Sequence, residues 1–495
     1  MTAILHGQDT LTPPAGGHVR RLNDAVLFFI EHLAGLILAV DVLVVFASVF
    51  YRYALHTPLE WAEEVASGLM TAIIFLGAGS VLGRNQHVGI DFFLNRFPAR
   101  VRPLLLQVGA WLTAMMCVGF ALSTYELIVD SEGQTTPFGF QQVYLLYPVL
   151  FGSLVMSLFS VSNALKGGRT SRWVTLAACT LFAAANYYWN LSQPELAVPP
   201  IVYLVVSFFG CIVIGIPIAF AIALSAMLYF LFEPSLPMLI YSQQVVAGAN
   251  HFVLLAIPFF VLAGLTMEAN GMSTRLIELL LRVFGRFRGG LNLITIIATT
   301  LFSGVSGSKL ADIAAVGGII VPAVRRTKQD PNDAAGLLAC TAIMSETIPP
   351  CVNMIIFGFV ASISIGGLFM AGVVPAIILA ISLSIVAVIY GKRIDPKDAI
   401  TTQRTLVRLI GGSMVALAMI VMIGKGVTSG VATSTEISAF AVIYALLVGG
   451  LAFRELTFKK VVHLFVKSAS MTGVILFIVA AASSLSYALT IERIP

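Results

Sequence analysis

The feature that most constrains this chain is a succession of apolar runs, many of about 18 residues or more. That is the length a helix needs to cross roughly 30 Å of hydrocarbon. Charged residues make up only 11% of the 495, while 58% are hydrophobic; a soluble domain carries about 25% charged residues to build its polar shell. Lipid must therefore surround most of the chain. Spanning segments have to satisfy their own backbone hydrogen bonds, which predicts helices. The period-two alternation of a membrane β-barrel is absent. The expected fold class is an all-α polytopic membrane protein.

The distribution of basic residues orders the spans. The first run, about Asp24 to Phe50, follows Arg20 and Arg21. The second, about Val65 to Leu82, precedes Arg84, Arg96, Arg100 and Arg102. The third, about Leu104 to Val129, leads into DSEGQTTPFGFQQ, which holds no Lys or Arg. The fourth, about Val143 to Ala164, precedes Lys166, Arg169 and Arg172. Cations at every second end place the N-terminus and the 84–102 and 166–172 loops in the cytoplasm. Arg52 is the one basic residue on the opposite side of this four-span unit. A fifth run, about Trp173 to Trp189, crosses outward to the external linker NLSQPELAVPP. This gives a four-span domain over 1–170, a connector helix and linker over 171–198, and a second domain over 199–495. The N-terminus is polar and lacks an apolar signal core, so no cleaved signal is expected and the first span serves as its own insertion signal.

Several functions are disfavoured. The net charge of +5 is small and its basic residues follow topology, so no nucleic-acid partner is expected. The five cysteines, Cys117, Cys179, Cys211, Cys340 and Cys351, lie in apolar stretches without metal-ligand spacing and read as reduced packing residues. No H-E-x-x-H, P-loop or G-x-S-x-G is present, which argues against an enzyme and against direct ATP drive. No cofactor is expected.

The second domain differs from the first in having apolar runs interrupted by Gly and Pro: GCIVIGIPIAFA, LLAIPFFVLAG, LFSGVSGSKLAD and ETIPPCVNMIIFG. Helix breaks in lipid are tolerated only where the freed groups are buried or line a cavity. Several of them, rich in Ser, Thr and Asn, favour a site made of broken helices. In SGVSGSKLAD, Ser303, Ser306, Gly307 and Ser308 bring hydroxyls and close-approaching backbone together with Asp312, a set suited to a hard monovalent cation such as Na⁺. The competing reading makes Asp312 a helix N-cap at the membrane surface. In SETIPPCVNM, Pro349 and Pro350 stop a helix, Thr347 and Asn353 add polar side chains, and the opened end suits an anionic carboxylate. Glu346 reads equally as a cation ligand or proton carrier and as a surface cap. PLEWAEE, with Glu60, Trp61, Glu63 and Glu64, is an interfacial anchor, or else pairs with the second domain or an external partner; Arg84, His87 and Asp91 follow the next span. Asp41, mid-span in the first helix, is expected to make an inter-helix hydrogen bond.

With these residues in view, the chain resembles the tripartite ATP-independent periplasmic (TRAP) transporters of bacteria, in the form that fuses small and large membrane subunits. RY…PLEWAEE…FLGAGSVLGRNQHVGID…P (Arg52 to Pro98) is similar to the small subunit. GIPIAFAIALSAM, LLAIPFFVLAG, RGGLN, SGSKLAD, DPNDAAGLLA, IPP and MIIFG are similar to the large one. The resemblance implies Na⁺-coupled uptake across the inner membrane of a carboxylate-bearing solute, such as a C4-dicarboxylate or a sugar acid. A soluble periplasmic binding protein would deliver the solute, and an elevator-like transport domain would move against a fixed scaffold. It implies Na⁺ at Ser306, Ser308 and Asp312, a partner segment at Thr347, Pro349 and Pro350, and an inward-facing hairpin tip around Pro258. Glu60, Trp61, Glu63, Glu64 and Arg84 would belong to the small-subunit interface. Glu346 and Asn353 stand where the commoner large-subunit pattern has prolines. Large subunits carry two inverted halves; here GVTSGVATSTEISAF opens the second, and no second Pro-Pro break follows. The expectation is that most of the second half-site is missing and that these residues alone do not complete alternating access. Two other functions fit the residues: an anion transporter that works without a binding protein, and a non-transporting membrane scaffold.

Overall fold

A computed structural model describes residues 17–84, 86–87, 89–166, 168–192, 198–306, 309–393 and 406–494. Among them nine helices are long and apolar enough to cross a membrane. No strand is present among the described residues, only one isolated bridge between Thr135 and Gln141. The chain is an all-α polytopic membrane protein. Its residues divide into two compact units, which cut across the sequence partition: residues 1–38, 64–251 and 469–495 form the first, and 39–63 and 252–468 the second.

The first unit is built around α2 (Ala62–Gly83). Met70, Ile73, Ile74, Phe75 and Ala78 have no exposed surface. A helix apolar on all sides belongs in a core rather than at a boundary. Around it lie α4 (Arg102–Asp130), α5 (Val143–Ala164) and part of α19 (Phe458–Ile491). Glycines set how close these helices come. A Cβ on Gly152 of α5 would lie 2.6 Å from Phe75 Cβ, and one on Gly473 of α19 would lie 2.4 Å from the Gly77 carbonyl carbon. Backbone therefore meets backbone where α2 crosses α19, the small-residue packing that membrane helices use in place of a hydrophobic driving force. Phe75 completes the junction, stacked on Phe120 at 5.6 Å and edge-on to Phe477 at 6.0 Å. The unit also holds the four-residue α3 (Asp91–Leu94), the connector α6 (Arg169–Ser192), α7 (Pro200–Ile214), α8 (Ile218–Phe232) and α9 (Leu239–Ala249).

In the second unit α10 (Ala256–Ala269) is the central element, buried at every position from Ala256 to Met267. It packs against α11 (Met272–Phe284), α12 (Gly290–Ser306), α15 (Val352–Val360) and α18 (Ser434–Leu447). Helices α12 and α13 (Lys309–Arg326) are joined through residues 307–308 and pack on each other as a hairpin. Against it lie α14 (Pro331–Met344) and α16 (Ile365–Tyr390), and α17 (Leu406–Thr428) packs on α11. Pro258 occupies the first turn of α10, just after the 3₁₀ turn Phe252–Leu255, where a missing N–H leaves no bond unmade. Its carbonyl accepts from the Ser468 hydroxyl at 3.2 Å.

Helix α1 (Gly17–Ala54) places Ile30, Ala34, Leu38, Val42, Val45 and Val49 on one buried stripe. Asp41 belongs to that stripe and is fully buried, yet neither carboxylate oxygen has a hydrogen-bond partner among the described residues. The expected inter-helix bond is absent, and the other members of the stripe are aliphatic and offer no donor.

The Gly77–Gly473 crossing makes a direct prediction. Gly473→Ala should lower stability in detergent by about 1–3 kcal/mol or more, since its methyl has no space to enter. Gly411→Ala on α17, where an added Cβ meets nothing within 4 Å, should be neutral or slightly stabilising. Thermal unfolding of the two variants beside the parent chain reads the difference.

Candidate functional site

The two segments singled out for ion and solute chemistry both belong to the second unit. Helix α12 packs against the 3₁₀ turn Ser345–Thr347 that follows α14, and both α12 and α13 pack against α14 itself. Ile296 and Met344 share a core cluster with Leu293 and Ile348, so the first half of α12 is what meets the break. Ser303 and Ser306 fall in the last turns of α12. Asp312 is the fourth residue of α13, inside that helix rather than at its cap. Gly307 and Ser308 lie outside the described residues, as do the side chains of Ser303, Ser306 and Asp312.

Helix α14 ends at Met344, and Thr347 Oγ1 donates to the Met344 carbonyl at 2.7 Å, closing the helix end. The Pro349–Pro350 bond is cis, and α15 restarts at Val352. Glu346 reaches across this gap: its Oε2 accepts a hydrogen bond from Asn353 Nδ2, with Cys351 Sγ 3.7 Å away. Glu346 and Asn353 therefore bond to each other and tie one side of the break to the other. Glu346 is half-buried and its partner Asn353 is exposed, so the bond lies on the open side of the break. Gly372 of α16 backs the segment; a Cβ there would come 2.6 Å from the Thr347 carbonyl oxygen.

The residues expected at the small-subunit interface lie within α2 or at its two ends. Glu60 and Trp61 are exposed. Glu63 pairs with Arg52 at 3.4 Å. Both carboxylate oxygens of Glu64 are buried without a hydrogen-bond partner among the described residues. Arg84 pairs bidentately with Glu31 through Nε and, at 2.7 Å, through Nη2, and Ser80 donates to the same carboxylate at 3.1 Å. Just past α2, His87 Nε2–H donates to the Ala78 carbonyl at 3.0 Å, and its ring lies edge-on to Phe220. Burial lowers the His87 imidazole to about 4, outweighing the backbone hydrogen bond that favours the charged form.

A further cluster in the second unit was not anticipated. Arg52 Nη1 donates to Glu436 Oε1 at 2.9 Å, and Tyr53 Oη donates to the Val431 carbonyl at 2.9 Å. Glu436 and Thr433 form a capping box at the start of α18. These groups border a cavity of 670 Å³ that also reaches Ser362, Gly366 and Ser434. The T-x-x-E spacing of Thr433 and Glu436 is a readable helix-start signal, and a lone cation such as Arg52 wants an acidic partner; the pairing across 384 positions is what sequence could not supply.

Helices long and apolar enough to cross a membrane, with a hairpin packed on a broken helix, fit the membrane component of a transporter. Residues 205–495 match the family described as tripartite ATP-independent periplasmic transporter, DctM component, and residues 41–170 match the DctQ component of the same transporters. The chain belongs to this family, with small and large subunits fused. It is 26% identical over 471 residues to a sialic acid TRAP transporter permease of Haemophilus influenzae, covering 90% of this chain and 75% of the relative. It is 36% identical over 296 residues to a 2,3-diketo-L-gulonate TRAP transporter large permease of Escherichia coli, covering 59% and 70%. A third relative, an isethionate TRAP transporter permease of Oleidesulfovibrio alaskensis, is 26% identical over 449 residues, covering 88% and 69%.

His87 provides a pH test. The unfolded imidazole titrates near about 6.5 and the folded one at about 4, so the unfolded state binds the proton first. Its contribution to stability is complete above pH about 6.5 and is lost as the pH falls toward about 4. Thermal midpoints measured across this window should decline, and His87→Gln should flatten the decline.

Proposed function

We propose that this chain is the membrane component of a Na⁺-coupled importer for an organic acid, carried as its carboxylate and delivered by a soluble periplasmic binding protein. The N-terminus is cytoplasmic, the membrane is the bacterial inner membrane, and the second unit carries the transport site. The observation that carries this reading is the packing of the α12–α13 hairpin against the Glu346-bridged break. Opened helix ends next to small hydroxyl residues supply carbonyls for a monovalent cation and amide groups for an anion. Asp312 then completes the Na⁺ site with Ser306 and Ser308, while Thr347 and the freed amides around Pro349 and Pro350 meet the solute. Movement of the second unit as an elevator would carry ion and solute together.

The relatives support the substrate class. Sialic acid and diketogulonate are carboxylates, while isethionate is a sulfonate, so the three share an organic acid anion. Binding to the folded state alone must raise apparent stability. Thermal unfolding in NaCl should therefore exceed that in KCl by on the order of a few degrees, and a carboxylate solute should add to the rise only when Na⁺ is present. Asp312→Ala should abolish the Na⁺ increment. Identical curves in the two salts would overturn Na⁺ coupling, and stabilisation by sulfonates alone would overturn the carboxylate assignment.

A further inference from the structure

The segment between α2 and α4 carries a second kind of chemistry, unrelated to ion or solute. From Asp91 to Leu104 it reads DFFLNRFPARVRPL, three phenylalanines interleaved with three arginines and a single acid. One side chain faces inward: Leu94 is buried, and a Cβ on Gly215 would lie 3.2 Å from its Cδ2. Successive turns, Arg96 N to Phe93 O at 3.0 Å, Phe97 N to Leu94 O at 3.2 Å and Val101 N to Pro98 O at 2.9 Å, fix the backbone around that anchor. What remains points outward. Phe92 is 62% exposed, Phe93 and Phe97 are exposed beside it, and the Arg96 guanidinium sits 5.5 Å from the Phe92 ring centroid. Arg96, Arg100 and Arg102 are exposed and make no ion pair among the described residues, whereas Arg84 is committed to Glu31.

Position identifies what covers this surface. Helix α4 starts at Arg102 and has 29 residues, about 43 Å at 1.5 Å per residue, longer than the roughly 30 Å of hydrocarbon it crosses. Its first turn therefore stands at headgroup level. A rigid patch there that exposes aromatic rings would be costly in water, and rings at this depth sit comfortably among headgroups and upper acyl chains. The unpaired guanidinium groups beside them match phosphate oxygens in a forked geometry.

We infer that residues 92–102 form a binding site for an anionic phospholipid, with Arg96, Arg100 and Arg102 on the headgroup phosphate and Phe92, Phe93 and Phe97 among the acyl chains. The test uses the full chain in detergent with phosphatidylglycerol or phosphatidylcholine of the same acyl composition, read by lipid retention in native mass spectrometry and by thermal unfolding. Phosphatidylglycerol should be retained on the order of 10- to 100-fold more strongly, with the preference weakening as salt is raised. The Arg96→Gln/Arg100→Gln/Arg102→Gln variant should lose the preference and keep its elution profile and helical circular dichroism. Phe92→Ser/Phe97→Ser should weaken retention of both lipids. Equal retention of the two lipids by the parent chain, or an undiminished preference in the arginine variant, would overturn the proposal. Stabilisation by inorganic phosphate equal to that by phosphatidylglycerol would reassign the patch to a free anion.

Discussion

In hydrocarbon an unpaired backbone amide or carbonyl has no water to turn to, so each interruption of a helix must be sheltered by another part of the protein. That constraint governs the second unit. The interval from Ser345 to Cys351 breaks the path from α14 to α15, and it is enclosed by α12, α14 and α16. Thr347 closes the end of α14 with its own hydroxyl, Glu346 spans the gap to Asn353, and Gly372 leaves room for the Thr347 carbonyl. A segment this irregular stays ordered because its neighbours supply what a continuous helix would have supplied.

A different economy holds the first unit together. Lipid tails are as apolar as leucine, so apolar surface alone does not draw helices together in a membrane. Close approach does, and it depends on residues without side chains. Gly77 and Gly473 bring a helix of the small-subunit region and one of the large-subunit region into backbone contact, and Phe75 fills the space beside them. In this fused chain the two subunit regions are joined by packing as well as by the connector α6. Charge is used sparingly: Glu31, buried on α1, is held by Arg84 and Ser80.

Much of this was legible in the residues. Span lengths and the positions of α1, α2, α4 and α5 follow from apolar runs bounded by Arg and Lys, and the Pro-Pro break follows from the chemistry of proline. The partners were not legible. Glu31 meets Arg84 across 53 positions and Arg52 meets Glu436 across 384, and nothing local encodes such pairings. Pro258 lies in the first turn of α10, where a missing N–H costs nothing. Asp41 misled because a buried carboxylate normally finds a donor, and none of the described residues supplies one.

The central claim is that the hairpin and the break form one Na⁺-responsive site, and the chain contains its own reporter. Cys351 lies within the break, buried and close to Glu346. With the other four cysteines replaced by alanine, the rate of Cys351 alkylation by a maleimide can be followed in NaCl and in KCl. Slower alkylation is expected in Na⁺, with loss of the difference in Asp312→Ala, since the carboxylate on the hairpin would govern access to the break. Equal rates in the two salts, or a Na⁺ effect that survives Asp312→Ala, would contradict that claim.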